Sequence, residues 1–291
     1  MDNPRPIASK LNPTTELPHE LVLDVPTNPL PDWQWADLAA RPSMMGRPDS
    51  EVLPISRLGL THPAILLFFV VHGLLALIFF FVPGLDLEFS NFFYTPGSGF
   101  DIASRSSARA LPFLPWLTAA FITGAGWLLI RNIADSRRRR QAIYRSGSTR
   151  RILFLLLTLA LGPGLLINGV LKIQSGRARP IRVQAFGGDR AFTPAFSLAD
   201  QCDGNCSFVS GDAAMGYFLL AFLFIARKRR LAIALSAYAA GSAIGLVRIA
   251  QGAHFLSDVI FAGFFTFLVA WILYLLILRP TEDSPPVLVP R

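Results

Sequence analysis

Six apolar segments, each close to the roughly 20 residues needed to cross a hydrocarbon core, divide the middle of this 291-residue chain. The first runs from about Leu60 to Val82. The second runs from Leu111 to Ile130, with Pro112 and Pro115 in its first turns, where a missing amide donor matters least. The third is Ile152 to Leu171. The fourth, Ala213 to Ala226, is short and can extend toward Phe208. The fifth, Leu231 to Ile249, is rich in Ala, Gly and Ser; small residues let helix backbones approach closely, so a central helix is expected there. The sixth is Phe255 to Leu278, where Trp271, Tyr274 and the following Arg279 have the composition of an interface anchor. Backbone polar groups in lipid must be satisfied within the structure itself. The expected fold is therefore all-α, a polytopic membrane bundle of six transmembrane helices.

The segments occupy an expected membrane domain over residues 58–279. Residues 1–57 contain many Pro, Asp and Asn without a sustained apolar period, and are expected to be a largely irregular tail. Trp33 and Trp35 in that tail either touch the bilayer interface or pack locally. Neither an n-region nor an h-region is visible in the first sixty residues, so no signal peptide is expected. Residues 280–291 form a second short tail.

The composition, 52% hydrophobic with 16% charged, excludes an ordinary soluble domain. A net charge of +8 would suggest nucleic acid in a soluble protein. Here the basic residues cluster between apolar segments, and no nucleic-acid partner is expected. One cluster holds Arg131, Arg137, Arg138, Arg139, Arg140, Arg145, Arg150 and Arg151; the other is Arg227-Lys228-Arg229-Arg230. With six spans both lie on one side, which the positive-inside rule makes cytoplasmic. Both termini are then cytoplasmic, in an inner (cytoplasmic) membrane. The loops 172–212 and 250–254 face outward, and all the candidate chemistry sits in them.

That chemistry has three parts. The stretch Arg248-Ile-Ala-Gln-Gly-Ala-His254-Phe-Leu-Ser-Asp258 lies between the fifth and sixth segments. If residues 255 onward are helical, His254 and Asp258 lie at i and i+4 on one face. The carboxylate can then bond one ring nitrogen and fix the tautomer, leaving the other free as base or nucleophile. The planar fork of Arg248 can hold two oxygens of one phosphate. Taken alone, the same residues also fit a membrane-flank Arg, a snorkelling His and a helix-start Asp. Lys172 and Arg179, in Lys172-Ile-Gln-Ser-Gly-Arg-Ala-Arg179-Pro180, can close on one anion from two sides. Ser210-Gly211-Asp212 opens the fourth segment, where free amides, close approach at Gly211 and the Ser210 hydroxyl make an anion site.

Lys-x6-Arg-Pro, then Ser-Gly-His, then Arg-x5-His-x3-Asp is the signature that this chain resembles, that of the type 2 phosphatidic acid phosphatases. They share it with bacterial acid phosphatases and vanadium haloperoxidases. The resemblance covers roughly residues 58 to 279 and extends to the six-span arrangement. Phe186-Gly-Gly, Phe192-Thr-Pro, Cys202 to Cys206 and Ser207-Phe-Val-Ser-Gly look like a bacterial subgroup near the lipid A phosphatases. The resemblance implies that His254 is the nucleophile forming a phosphohistidine and that Asp258 orients it. It implies that Lys172, Arg179, Ser210, Gly211 and Arg248 bind the phosphoryl group. Two positions depart from the pattern. Val209 stands where the family usually has Pro, and Asp212 stands where it has the His that protonates the leaving group. None of the other histidines, His19, His62 and His72, can replace it; His72 is expected to bond between helices. Asp212 must act itself, or the proton comes from water.

An integral-membrane phosphatase acting on a lipid phosphate or diphosphate at the outer face is expected, with a lipid substrate and membrane lipids as its partners. No cofactor or metal is expected, because Lys and Arg supply the charge stabilisation. A lipid phosphotransferase and a non-catalytic phospholipid-binding or transport protein are the alternatives, and Asp212 keeps the last open. Asp212 also predicts a preference for good leaving groups, as in lipid diphosphates or sugar 1-phosphates, over phosphatidic acid. Cys202 and Cys206 have no zinc-site spacing. In an outward loop they either form a small disulfide bracing the phosphate site or remain buried thiols.

Overall fold

The computed structural model describes residues 62–100, 113–139 and 146–279. Both tails, with His19, Trp33 and Trp35, lie outside the described residues, as do Leu111, Pro112, Arg140 and Arg145. The described residues form seven helices: α1 (Pro63–Phe81), α2 (Gly84–Asn91), α3 (Leu114–Arg138), α4 (Gly147–Gln174), α5 (Gly211–Phe224), α6 (Arg230–Ala250) and α7 (Leu256–Leu278). A hairpin of two short strands, β1 (Tyr94–Thr95) and β2 (Gly99–Phe100), pairs Tyr94 with Phe100. The fold is an α-helical membrane bundle. Five helices, α1, α3, α4, α6 and α7, are long and apolar enough to cross a membrane. α5, at the expected fourth span, is a shorter apolar helix. It has seven α-helical residues followed by seven in a tighter 3-10 turn. At rises of about 1.5 and 2.0 Å per residue it reaches about 25 Å, against a core of about 30 Å.

Local chemistry sets the ends. α1 begins at Pro63, and the His62 ring accepts from the Ala64 amide at 3.2 Å. α4 begins after Ser146, whose hydroxyl accepts from Thr149 N. Its second half, Ala160–Leu171, widens into π-helical turns around Pro163, which has no amide to donate. Asn168 Nδ2 donates to the Pro163 carbonyl at 2.6 Å. The widened turns end directly before Lys172.

The expected central helix is α6, but the structure gives that place to α7, which touches α1, α2, α4, α5 and α6. α6 buries one stripe, Ala237, Gly241, Gly245 and Ile249, at a spacing of four. Lipid tails are as apolar as Leu, so helices associate here by close packing. A methyl group on Gly241 would overlap the Tyr217 ring of α5, and one on Gly216 would overlap the Gly241 backbone. The small residues thus make α6 a close neighbour of α5 rather than the hub. Trp271 and Tyr274 are likewise not interface anchors. Both are buried, Trp271 against Phe69 and Tyr274 stacked on Phe224 at 5.0 Å. His72 bonds within its own helix, to the Phe68 carbonyl at 2.9 Å, and its ring packs on Phe264 of α7.

Helix direction separates two ends of the bundle. Arg137 and Arg138 end α3, Arg150 and Arg151 begin α4, and Arg227 to Arg230 join α5 to α6. The C-termini of α4 and α6 and the N-termini of α5 and α7 gather at the other end.

Candidate active site

His254 sits at that second end, in the turn between α6 and α7, and is wholly buried. The turn closes through Gly252 N to Ile249 O at 2.8 Å and Ala253 N to Arg248 O at 3.0 Å. Gly252 has φ +65°, and a Cβ there would overlap the Phe100 ring, so the turn needs glycine twice over. The same turn accepts Ile181 N at the Gly252 carbonyl, tying the segment after Lys172 to the segment before His254.

His254 Nδ1 lies 2.8 Å from the Ser207 carbonyl and 3.7 Å from Asp258 Oδ2. The direct Asp258–His254 bond expected from the i, i+4 spacing is therefore displaced. A carbonyl only accepts, so Nδ1 carries the proton and donates to Ser207. Asp258 Oδ2 is occupied instead by the Ser207 hydroxyl at 2.5 Å and the Phe255 amide at 2.8 Å. His254 Nε2 is buried and has no hydrogen-bond partner among the described residues. Burial lowers the His254 pKa, opposed by Asp258 and assisted by Lys172 and Arg179. The ring is thus a neutral imidazole with its Nε2 lone pair unused.

Asp258 is held in turn by Arg177, which sequence reasoning left without a role. Arg177 is 1% exposed. It donates to Asp258 Oδ1 at 2.7 Å, Asp86 Oδ2 at 2.8 Å, Ser257 Oγ at 2.9 Å and the Thr193 carbonyl at 2.9 Å. Its guanidinium lies 4.4 Å above the Phe255 ring and 5.6 Å from that of Phe192. Asp86, from the first turn of α2, also accepts the Ser257 amide at 2.8 Å, so two carboxylates meet the positive end of α7. The only sequence signal for Arg177 was a third basic residue inside the Lys172–Pro180 stretch.

The cations lie around this core. Lys172 Nζ donates to Asn205 Oδ1 at 3.3 Å, and Arg179 donates twice to the Asn205 carbonyl, at 3.1 and 2.9 Å. A disulfide joins Cys202 to Cys206 around Asn205. Gly211 packs on α4: a Cβ there would overlap the Asn168 side chain and come within 3.1 Å of Lys172 Nζ. The Ser210 hydroxyl caps α5 by accepting from Ala213 N at 3.4 Å, while Ser210 N donates to the Asp258 carbonyl at 3.1 Å. Arg248 bonds Gln251 Oε1 at 2.7 Å, and its Nε lies 2.9 Å from Asp212 Oδ2. Arg179 titrates below its ordinary value because it is buried and, next, because Arg248 is near. The structure therefore brings Lys172, Arg179, Ser210, Gly211, Asp212, Arg248, His254 and Asp258 to one end of the bundle. Among the described residues no three His, Cys, Asp or Glu side chains cluster as metal ligands.

The fold and site are those of an α-helical membrane bundle with a buried imidazole and three cations, Lys172, Arg179 and Arg248, gathered at one end. The sequence model of the PAP2 superfamily matches residues 151–282, and the chain belongs to that superfamily. A protein of Francisella tularensis subsp. novicida named lipid A 4'-phosphatase is 38% identical over 74% of this chain and 98% of its own length. A protein of the same name from Rhizobium leguminosarum is 35% identical over 67% of this chain and 88% of its own. A third, from Rhizobium etli, is 33% identical over 68% and 81%. No solved structure matches the chain.

Proposed function

We propose that this protein is a membrane lipid phosphatase that works through a phosphohistidine on His254, with lipid A 4'-phosphate as its substrate. Membership of the superfamily and the name shared by three relatives support the activity and a 4'-phosphate monoester as substrate, against the preference for better leaving groups expected from Asp212. The unpartnered Nε2 of a neutral, buried His254 is the observation that carries the mechanism.

The Nε2 lone pair attacks phosphorus, and the phosphorus–oxygen bond to the lipid breaks with its electrons going to the lipid oxygen. Nδ1 keeps its proton on Ser207, which stabilises the charge that develops on the ring. Lys172, Arg179 and Arg248, with the amides of Gly211 and Asp212, hold the non-bridging oxygens. These cations supply the charge stabilisation, so the step needs no metal. Asp212, displaced from Arg248 by the phosphoryl group and protonated from solvent, gives that proton to the leaving oxygen, and its carboxylate takes one back from the attacking water. Water then attacks the phosphohistidine, releases inorganic phosphate and restores His254. Asp258 acts through Ser207 and the N-terminus of α7 rather than by touching the ring.

The site lies opposite the basic end of the bundle, and the positive-inside rule makes it the outer, periplasmic face. Both termini are then cytoplasmic. Phosphate release by purified wild type and His254→Ala protein, from lipid A, phosphatidic acid and a polyprenyl diphosphate, tests the proposal. Release from lipid A by wild type alone supports it. Equal release by the two proteins refutes the nucleophile, and binding without release makes the protein a non-catalytic one.

A further inference from the structure

Beside the cations that would hold the transferred phosphoryl group lies a second basic space. Arg179 and Asn205 line an open cleft of about 530 Å³ together with, among others, Arg182, Asp189, Arg190 and Gln201. Three guanidiniums therefore face one carboxylate. That carboxylate offers little compensation: Asp189 is 3.9 Å from Arg190, beyond hydrogen-bond reach, and is itself largely exposed. The Arg182 guanidinium has no hydrogen bond or ion pair among the described residues.

The arrangement is fixed by backbone. Pro180–Arg182 is one 3-10 turn, in which residues three apart stand on the same side, so Arg179 and Arg182 flank one space. Arg190 N donates to the Arg182 carbonyl at 2.9 Å, and Gln184 N donates to the Arg190 carbonyl at 2.9 Å. Gly188 lies directly on the Arg182 backbone, where any Cβ would overlap it. The Gln201 side chain is already committed, accepting from Ala191 N at 2.9 Å. What remains unsatisfied is the positive charge of Arg182 and Arg190, each with a planar donor fork, the pattern that pairs with phosphate.

We infer that this cleft is a second anion subsite, which takes a further phosphate carried by the same molecule whose first phosphate sits at His254. The inference rests on the proposed function for the first phosphate at His254; the second subsite is a matter of binding alone. Arg179, shared by both spaces, sets the two phosphates on adjacent sides of one guanidinium.

The test uses alkane-α,ω-diyl bisphosphates of three to eight carbons against alkyl monophosphates of matching length and inorganic phosphate. Binding is measured by calorimetry on full-length protein in detergent. At least one bisphosphate should bind ten times or more tighter than its monophosphate. The Arg182→Gln, Arg190→Gln double variant should erase that difference while changing the monophosphate and inorganic phosphate affinities by less than twofold. If no bisphosphate gains, or if the double variant weakens all ligands equally, the subsite does not exist. Two inorganic phosphates binding without any bisphosphate advantage also overturns it, since the cleft would then serve free anion. Lipid phosphate release by wild type, assayed separately, decides the phosphatase reading whatever these titrations give.

Discussion

Asp212 Oδ2 stands 2.9 Å from Arg248 Nε, an ion pair between the residue in the position of the leaving-group acid and a cation proposed to hold the phosphoryl group. A phosphoryl group bound to Arg248 competes with Asp212 for the same guanidinium. Binding would therefore release the carboxyl group beside the oxygen that must leave. A phosphate monoester expels a strongly basic alkoxide, whereas a diphosphate expels a weakly basic phosphate. General-acid assistance contributes about 10² to 10⁴ in rate, and chiefly in the first case. Asp212→Asn should slow cleavage of lipid monophosphates about a hundredfold and of a polyprenyl diphosphate less than tenfold. Asp212→His should restore the monophosphate rate. Equal losses on both substrates would show that Asp212 serves binding alone.

Arg177 joins carboxylates from α2 and α7, separated from it by 91 and 81 residues. Removing one partner of a buried ion pair strands the other and costs about 3–5 kcal/mol. Arg177→Met should lower the thermal midpoint in detergent by several degrees and reduce turnover, while Asp86→Asn, which keeps shape, should do less. Arg177→Met with an unchanged midpoint would contradict the bracing role.

This network also marks the limit of what the sequence shows. The spans and the Lys172, Ser210 and His254 segments are legible because apolar length and fixed spacing are local properties. The bond that sets the His254 tautomer is not, because its acceptor is a backbone carbonyl 47 residues away. Trp271 and Tyr274 were misplaced for a different reason. An aromatic at a helix end suits the interface and the core equally, and only the neighbouring Phe69 and Phe224 decide. The shortness of α5 is legible in its apolar run; what that run conceals is the 3-10 half, whose larger rise per residue lengthens the helix.

Asn205 meets Lys172 and Arg179 inside the Cys202–Cys206 loop. Opening the loop should loosen both cations. In the chain-entropy account, closing a loop this small contributes about 2 kcal/mol. The Cys202→Ser, Cys206→Ser variant should raise KM for lipid phosphate about tenfold with kcat less affected. A linked Cys202–Cys206 peptide should appear in mass spectra of non-reduced protein. Two freely alkylated thiols in native membranes would contradict the bridge.

Burial holds the His254 pKa below its ordinary 6.5, so the ring stays neutral as pH falls through 7 and gains its proton only below 6.5. Nucleophilic activity due to His254 should be present above that value and fall on acidification below it. Nitrogen NMR of histidine-labelled protein should find His254 protonated at Nδ1 and bare at Nε2 at pH 7. A midpoint above 6.5, or a proton on Nε2, would contradict the geometry.

The covalent intermediate is the most direct test of the account. Wild-type protein mixed with labelled lipid A and quenched in alkali within milliseconds, where phosphohistidine survives, should yield a tryptic peptide carrying phosphate on His254. The signal should appear and decay at rates compatible with turnover and be absent from His254→Ala. Phosphate release at full rate with no phosphate ever trapped on His254 would contradict the mechanism.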